Sequence, residues 1–184
     1  DHAGDHLEDL GYTRGDILQR LRHAALNPYG SYAYTNFGLT AAAEALAQAR
    51  GTDWATLSAQ ALYQPLGMAH ASSRYADFAA RPNRAWGHVQ AGLGYDSYGA
   101  QSARYTVQQP ARQPDAQSPA GGASASAADM ARWMALVLAQ GQYQGRQLIH
   151  PAALQAAMTA RPGGAYGYGF NVGPDPHGHA SVSH

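Results

Sequence analysis

Tyr34-Thr35-Asn36-Phe37-Gly38 is the stretch on which the reading of this chain turns. Ahead of it lies a turn-rich approach, Asn27-Pro28-Tyr29-Gly30-Ser31, where the proline disfavours helix in the residue before it. After it comes an Ala-rich run that reads as a helix from about Asn36 to Arg50. Phe37, Leu39, Ala43, Leu46 and Ala47 mark its expected buried side, and Gly51 is its stop. A Tyr and an Asn two apart at a helix mouth put a phenol and a carboxamide side by side. Such a pair can move a proton and hold a carbonyl. The plainer reading is an amphipathic Tyr at a helix start, with Asn as its cap.

Working outward, residues 1–12 read as an irregular lead-in. Thr13 with Asp16 predicts a capping box, followed by an apolar stripe of Ile17, Leu18, Leu21 and Ala25 that Asn27-Pro28 ends. Thr52 is the expected cap of a third helix carrying Trp54, Leu57, Ala61 and Leu62, ended by Pro65 and Gly67. Residues 69–119 show no sustained helical period, and a connection of that length is commonly functional. Within it, Trp86-Gly87-His88-Val89 and Tyr105-Thr106-Val107 suggest a small hairpin. Ser118-Pro119-Ala120-Gly121-Gly122 reads as a turn. Ser126 and Asp129 predict a second capping box, opening a helix with Met130, Trp133, Met134 and Val137 on one face and Gly141 as its stop. Pro151 suits the first turn of a short helix to about Ala160. Tyr166–Val172 and Ala180–His184 read as two strands around Gly173-Pro174-Asp175-Pro176-His177-Gly178.

Composition limits the function classes. All 12 basic residues other than His are Arg, and they balance 12 Asp and Glu. Neutral charge without a basic cluster argues against a nucleic-acid face or a polybasic membrane patch. No run approaches the ~18 apolar residues of a membrane span. There is no Cys, so disulfides and thiolate metal sites are excluded. Ala supplies 39 of the apolar residues, against 7 for Val and Ile together, which disfavours a large buried parallel sheet. The expected fold is therefore mainly α with a few short strands. The start, Asp1-His2-Ala3-Gly4-Asp5, lacks both an initiator Met and a signal peptide, so the chain is expected to be processed or trimmed.

The order of Tyr34-Thr35-Asn36-Phe37-Gly38, then Gln64-Pro65-Leu66-Gly67-Met68, then Pro119-Ala120-Gly121-Gly122 leading into Ser126-Ala127-Ala128-Asp129-Met130-Ala131-Arg132-Trp133, resembles the serine β-lactamase and penicillin-binding-protein superfamily. The likeness is closest to its class C-like branch, which includes esterases and D-amino-acid peptidases. It implies that residues 1–184 are a partial β-lactamase-related domain. Residues 13–160 would be mostly helical subdomain with the long loop 69–119, and residues 166–184 would begin the α/β sheet region. The family's motifs are Ser-x-x-Lys, a Tyr-x-Asn or Ser-x-Asn element, and a Lys-Thr-Gly or His-x-Gly strand. By this resemblance Tyr34 is the general base or proton relay, and Asn36 orients the lysine and hydrogen-bonds the substrate carbonyl. His184 resembles the His that opens the His-x-Gly form, helping to bind a substrate anion or polarise the site. A terminal, disordered His is the plain alternative. The His form leans toward an esterase or peptidase rather than an efficient β-lactamase.

With no Lys in the sequence, Ser-x-x-Lys is expected ahead of Asp1. The implied function is a fragment of a serine hydrolase acting by acyl-enzyme chemistry on an ester, amide or β-lactam carbonyl of a small molecule or peptide. The alternative is a non-catalytic helical binding domain that kept the fold without the nucleophile. No cofactor or metal is expected, and self-association of the truncated chain is. The compartment is open, although the resemblance implies a family often exported or periplasmic. His177-Gly178-His179 with Asp175, and Asp1-His2 with Asp5-His6, have ligand residue types but read better as incidental surface His. Tyr29, Tyr32, Tyr95 and Tyr98 could line a groove, but read better as packing or solvent-edge aromatics. Ser124 and Ser126 are read as turn and cap, because Gly122-Ala123-Ser124-Ala125-Ser126 is no Gly-x-Ser-x-Gly elbow.

Overall fold

The computed structural model describes residues 2–28, 30–95, 97–108 and 114–184. These form two compact units, Asp1–Ala59 with Ala71–Ser124, and Gln60–His70 with Ala125–His184.

In the first unit the lead-in is not irregular: α1 spans Asp5–Asp9. Gly4 caps it at φ 98°, a left-handed conformation that a side chain rarely adopts. A Cβ there would also lie 2.8 Å from the Phe37 ring and 3.0 Å from Ile17, so the glycine lets the chain lie flat on the core. The expected capping box opens α2 (Arg14–Leu21), with Thr13 and Asp16 exchanging both hydrogen bonds. The helix stops at Leu21, before the expected Asn27-Pro28 terminator, and excludes Ala25.

Helix α3 covers Asn36–Ala49. Its packed stripe is Phe37, Thr40, Ala43 and Ala47, whereas Leu39 and Leu46 are about half exposed, contrary to expectation. Helix α3 packs against α6 (Ser118–Gly121). Asp53, not Thr52, caps α4 (Trp54–Ser58), accepting the Thr56 N–H at 3.0 Å. The helix passes into a π-helical turn, Ala59–Tyr63, so Ala61 and Leu62 do not continue an α-helix.

The long connection contains α5 (Tyr75–Ala79) and an antiparallel hairpin of β1 (His88–Tyr95) and β2 (Gln101–Val107). The hairpin pairs His88 with Val107 and Val89 with Thr106, and a bulge lies between Gln90 and Gly92. Ser118–Gly121 is a short helix rather than a turn, preceded by a 3-10 turn at Asp115–Gln117. Arg14 ties these pieces together. Its guanidinium binds Glu44 at 2.8 Å and donates to the carbonyls of Asp115 and Ala116 and to Ser118 Oγ.

In the second unit, Leu66 and Met68 are buried beside the Tyr63 segment, with the Met68 N–H bonded to the Tyr63 carbonyl at 2.8 Å. The Ser126–Asp129 capping box opens α7 (Ala127–Leu138) as expected. Its buried residues are Asp129, Leu136 and Val137, while Met130 and Met134 face solvent. A ribbon follows of β3 (Gln142–Tyr143) and β4 (Arg146–Gln147), then α8 (Pro151–Ala157), shorter than expected. The final hairpin pairs β5 (Asn171–Pro174) with β6 (Ala180–Ser183). Tyr166 lies outside β5 and pairs with Asn171 as an isolated bridge.

Candidate active site

The mouth of α3 is built by Thr35. It holds an extended conformation, and its hydroxyl accepts the Gly38 N–H at 3.1 Å. Thr35, not Asn36, is therefore the helix cap, and the Asn36 carboxamide is left uncommitted to the helix end. Asn36 instead donates from Nδ2 to Asp5 Oδ2 at 3.1 Å. A carboxylate only accepts, so the amide nitrogen must be the arm that faces it. The same Asp5 oxygen lies 3.1 Å from His2 Nδ1, and the Tyr34 ring sits 5.5 Å from the His2 ring at 41°. Tyr34 is 38% exposed.

His2 and Asp5 are the residues that sequence reasoning missed. In the sequence they read as incidental ligand types, because the Asp5–Asn36 contact spans 31 residues and no local pattern encodes it. Asp1 lies outside the described residues. Among the described residues no group of three His, Cys, Asp or Glu could hold a metal ion.

His184 lies at the end of β6 in the second unit. Its Nδ1 is 3.0 Å from the Gly169 carbonyl oxygen and 3.2 Å from Tyr166 Oη. The carbonyl can only accept, so Nδ1 carries the proton, and Nε2 is the lone-pair nitrogen of the neutral ring. His177 and His179 belong to a turn lock. Asp175 accepts both of their N–H groups at 2.8 Å, and its Oδ2 lies 3.0 Å from His179 Nδ1. The His179 side chain foremost, with these N–H donors, holds the Asp175 carboxyl below its ordinary range. Tyr32, Tyr95 and Tyr98 are exposed; Tyr29 lies outside the described residues. Ser124 bridges Ser72 through the main chain, and Ser126 caps α7.

The Beta-lactamase family model matches residues 1–184, and the chain belongs to that family. No curated protein matches it. Among solved structures, the octameric penicillin-binding protein homologue from Pyrococcus abyssi superposes with a TM-score of 0.68 at 17% identity, over 94% of this chain and 38% of that one. The D-amino acid amidase from Ochrobactrum anthropi SV3 gives 0.64 at 16%, over 88% of this chain and 47% of that one. FmtA from Staphylococcus aureus gives 0.66 at 15%, over 88% and 43% respectively. At these identities the likeness speaks for the fold. The chain thus spans less than half the length of each of these three structures and carries part of a β-lactamase-like fold. Among the described residues, no helix is long and apolar enough to cross a membrane.

Proposed function

We propose that this chain is part of a serine hydrolase that attacks an ester, amide or β-lactam carbonyl through an acyl-enzyme. The nucleophile and its lysine would lie in a Ser-x-x-Lys outside these 184 residues, which contain no Lys. Residues 13–160 would belong to the helical subdomain, and residues 166–184 would open the sheet region. Tyr34 would relay the proton between the serine and the leaving group. Phenols are weak acids, so this role needs cations nearby to favour the phenolate. Asn36 would orient the lysine and the substrate carbonyl. His184 would offer Nε2 to a substrate anion. A His in that place leans toward esterase or D-peptidase chemistry rather than efficient β-lactam hydrolysis, and the D-amino acid amidase among the structural neighbours supports an amide substrate.

The observation that carries this reading is the division of labour at the mouth of α3. Thr35 caps the helix, so Tyr34 and Asn36 are both released from that duty. The test is turnover by a longer chain that includes the upstream segment. Hydrolysis of a p-nitrophenyl ester, a D-amino-acid amide or nitrocefin, with labelling by a fluorophosphonate or penicillin probe, is expected. Absence of all of these, or an upstream sequence without Ser-x-x-Lys, would favour the non-catalytic binding domain.

The exposed Leu39, Leu46, Met130 and Met134 support self-association of the 184-residue chain. Sedimentation showing a clean monomer would count against it.

A further inference from the structure

We propose that Asp5 is a positioning residue for the Tyr34/Asn36 site, fixing which arm of the Asn36 carboxamide is presented to a reactant. The inference rests on the acyl-transfer reading above. A primary amide at a site can turn over, and its two arms do opposite chemistry: Nδ2 donates and Oδ1 accepts. Asp5 removes that ambiguity. Its Oδ2 takes one of the two Nδ2 protons at 3.1 Å, which leaves the second Nδ2 proton for a substrate carbonyl and Oδ1 on the arm turned away from the carboxylate. That oxygen is the one suited to hold a cationic donor, such as the ammonium that the proposed mechanism requires.

Two further observations make this a built arrangement rather than a surface contact. Gly4, immediately before Asp5, is the residue whose missing side chain lets the backbone press on Phe37, immediately after Asn36. Consecutive residues of one segment therefore dock on consecutive residues of the other, and the Asp5–Asn36 register is set by packing. In addition, Asp5 Oδ1 is buried without a hydrogen-bond partner among the described residues. A buried carboxylate oxygen left so is costly, and such groups are tolerated where they serve a site. Here both carboxylate oxygens are acceptors only, which favours Nδ2 over Oδ1 of the carboxamide on that side.

The test has two arms. In the longer, active chain, Asp5→Ala is expected to lower kcat about 10- to 100-fold with little change in KM, as misplacement of a reacting group does. In an Asn36→Ala background the same change should cost almost nothing further. Asp5→Asn, which keeps an acceptor for Nδ2, should recover most of the loss. Equal effects of Asp5→Ala in both backgrounds, or a loss tracking thermal stability alone, overturns the proposal.

The second arm needs no activity. In the 184-residue chain, the side-chain amide resonances of Asn36 should move markedly with Asp5→Ala and far less with Asp5→Asn. Unmoved resonances overturn the contact itself. If the longer chain shows no turnover, the acyl-transfer reading fails, and this arm still decides whether Asp5 sets the carboxamide.

Discussion

Asp129 Oδ2 accepts the main-chain N–H of His70 at 3.1 Å, clipping the end of the Pro65-Leu66-Gly67-Met68 turn to the start of α7. The same oxygen accepts the Ser126 N–H at 3.2 Å, and Arg132 reaches Oδ1 at 3.5 Å. The side chain is fully buried, so each donor depends on it. Asp129→Ala removes a cap and strands buried donors, and should cost about 2–4 kcal/mol. Urea unfolding should show a lower midpoint with an unchanged slope. A loss below about 1 kcal/mol would mean that water replaces the carboxylate.

Acid should unfold the protein through its helix caps. Asp53 is lowered from 3.8 to about 2, first by its hydrogen bonds with Thr56 and then by Arg74. Asp16 is lowered chiefly by Thr13. At Asp129 burial pushes the carboxyl up, but the hydrogen bonds from Ser126 and His70 outweigh it, and the net direction is down. A carboxyl lowered on folding stabilises above its unfolded value, and that contribution is lost as pH falls toward the folded one. The Tm should therefore hold down to about pH 4 and decline between about pH 4 and 2. Asp53→Asn keeps an acceptor for the Thr56 N–H without titrating, so its Tm should fall less steeply over that window.

Gly4→Ala places a methyl group against Phe37 at a backbone angle that alanine resists. A cost of about 1–3 kcal/mol is expected, visible as a lowered Tm. Gly11→Ala has a similar φ, 85°, but no neighbour within 4 Å, so it should carry the backbone strain without the clash and cost less. Equal losses at both positions would show that packing on Phe37 contributes nothing.

Tyr34→Phe removes only a hydroxyl from a ring that is 38% exposed. In the longer chain turnover should fall about 10²–10⁴-fold, the usual scale for a general acid or base, with the Tm almost unmoved. Retained turnover would remove Tyr34 from the proton path.

Caps were legible in the sequence because they are written locally. Thr13 with Asp16 and Ser126 with Asp129 are three residues apart, and both boxes form. Thr52 and Asp53 are adjacent and both are capping residue types, with Asp the stronger, and Asp53 takes the role. The phase of the buried stripe was less legible. On α3 it passes through Thr40 rather than Leu39, because the helix's facing is set by tertiary packing and not by which residue is the most apolar. Tyr34 and Asn36 stood out through the order of the surrounding segments. Asp5 did not, since its link to Asn36 comes only from tertiary packing.

The clip between Asp129 and His70 also sets a timetable for synthesis. The segment around His70 leaves the ribosome 59 residues before the carboxylate that will hold it. At ~5–20 residues per second, that is a wait on the order of 3–12 seconds. During it the turn that carries Leu66 and Met68, both buried in the finished fold, lacks the carboxylate that clips its end. A nascent chain paused between those points should expose this turn to chaperones and proteases, and release of the pause should withdraw it.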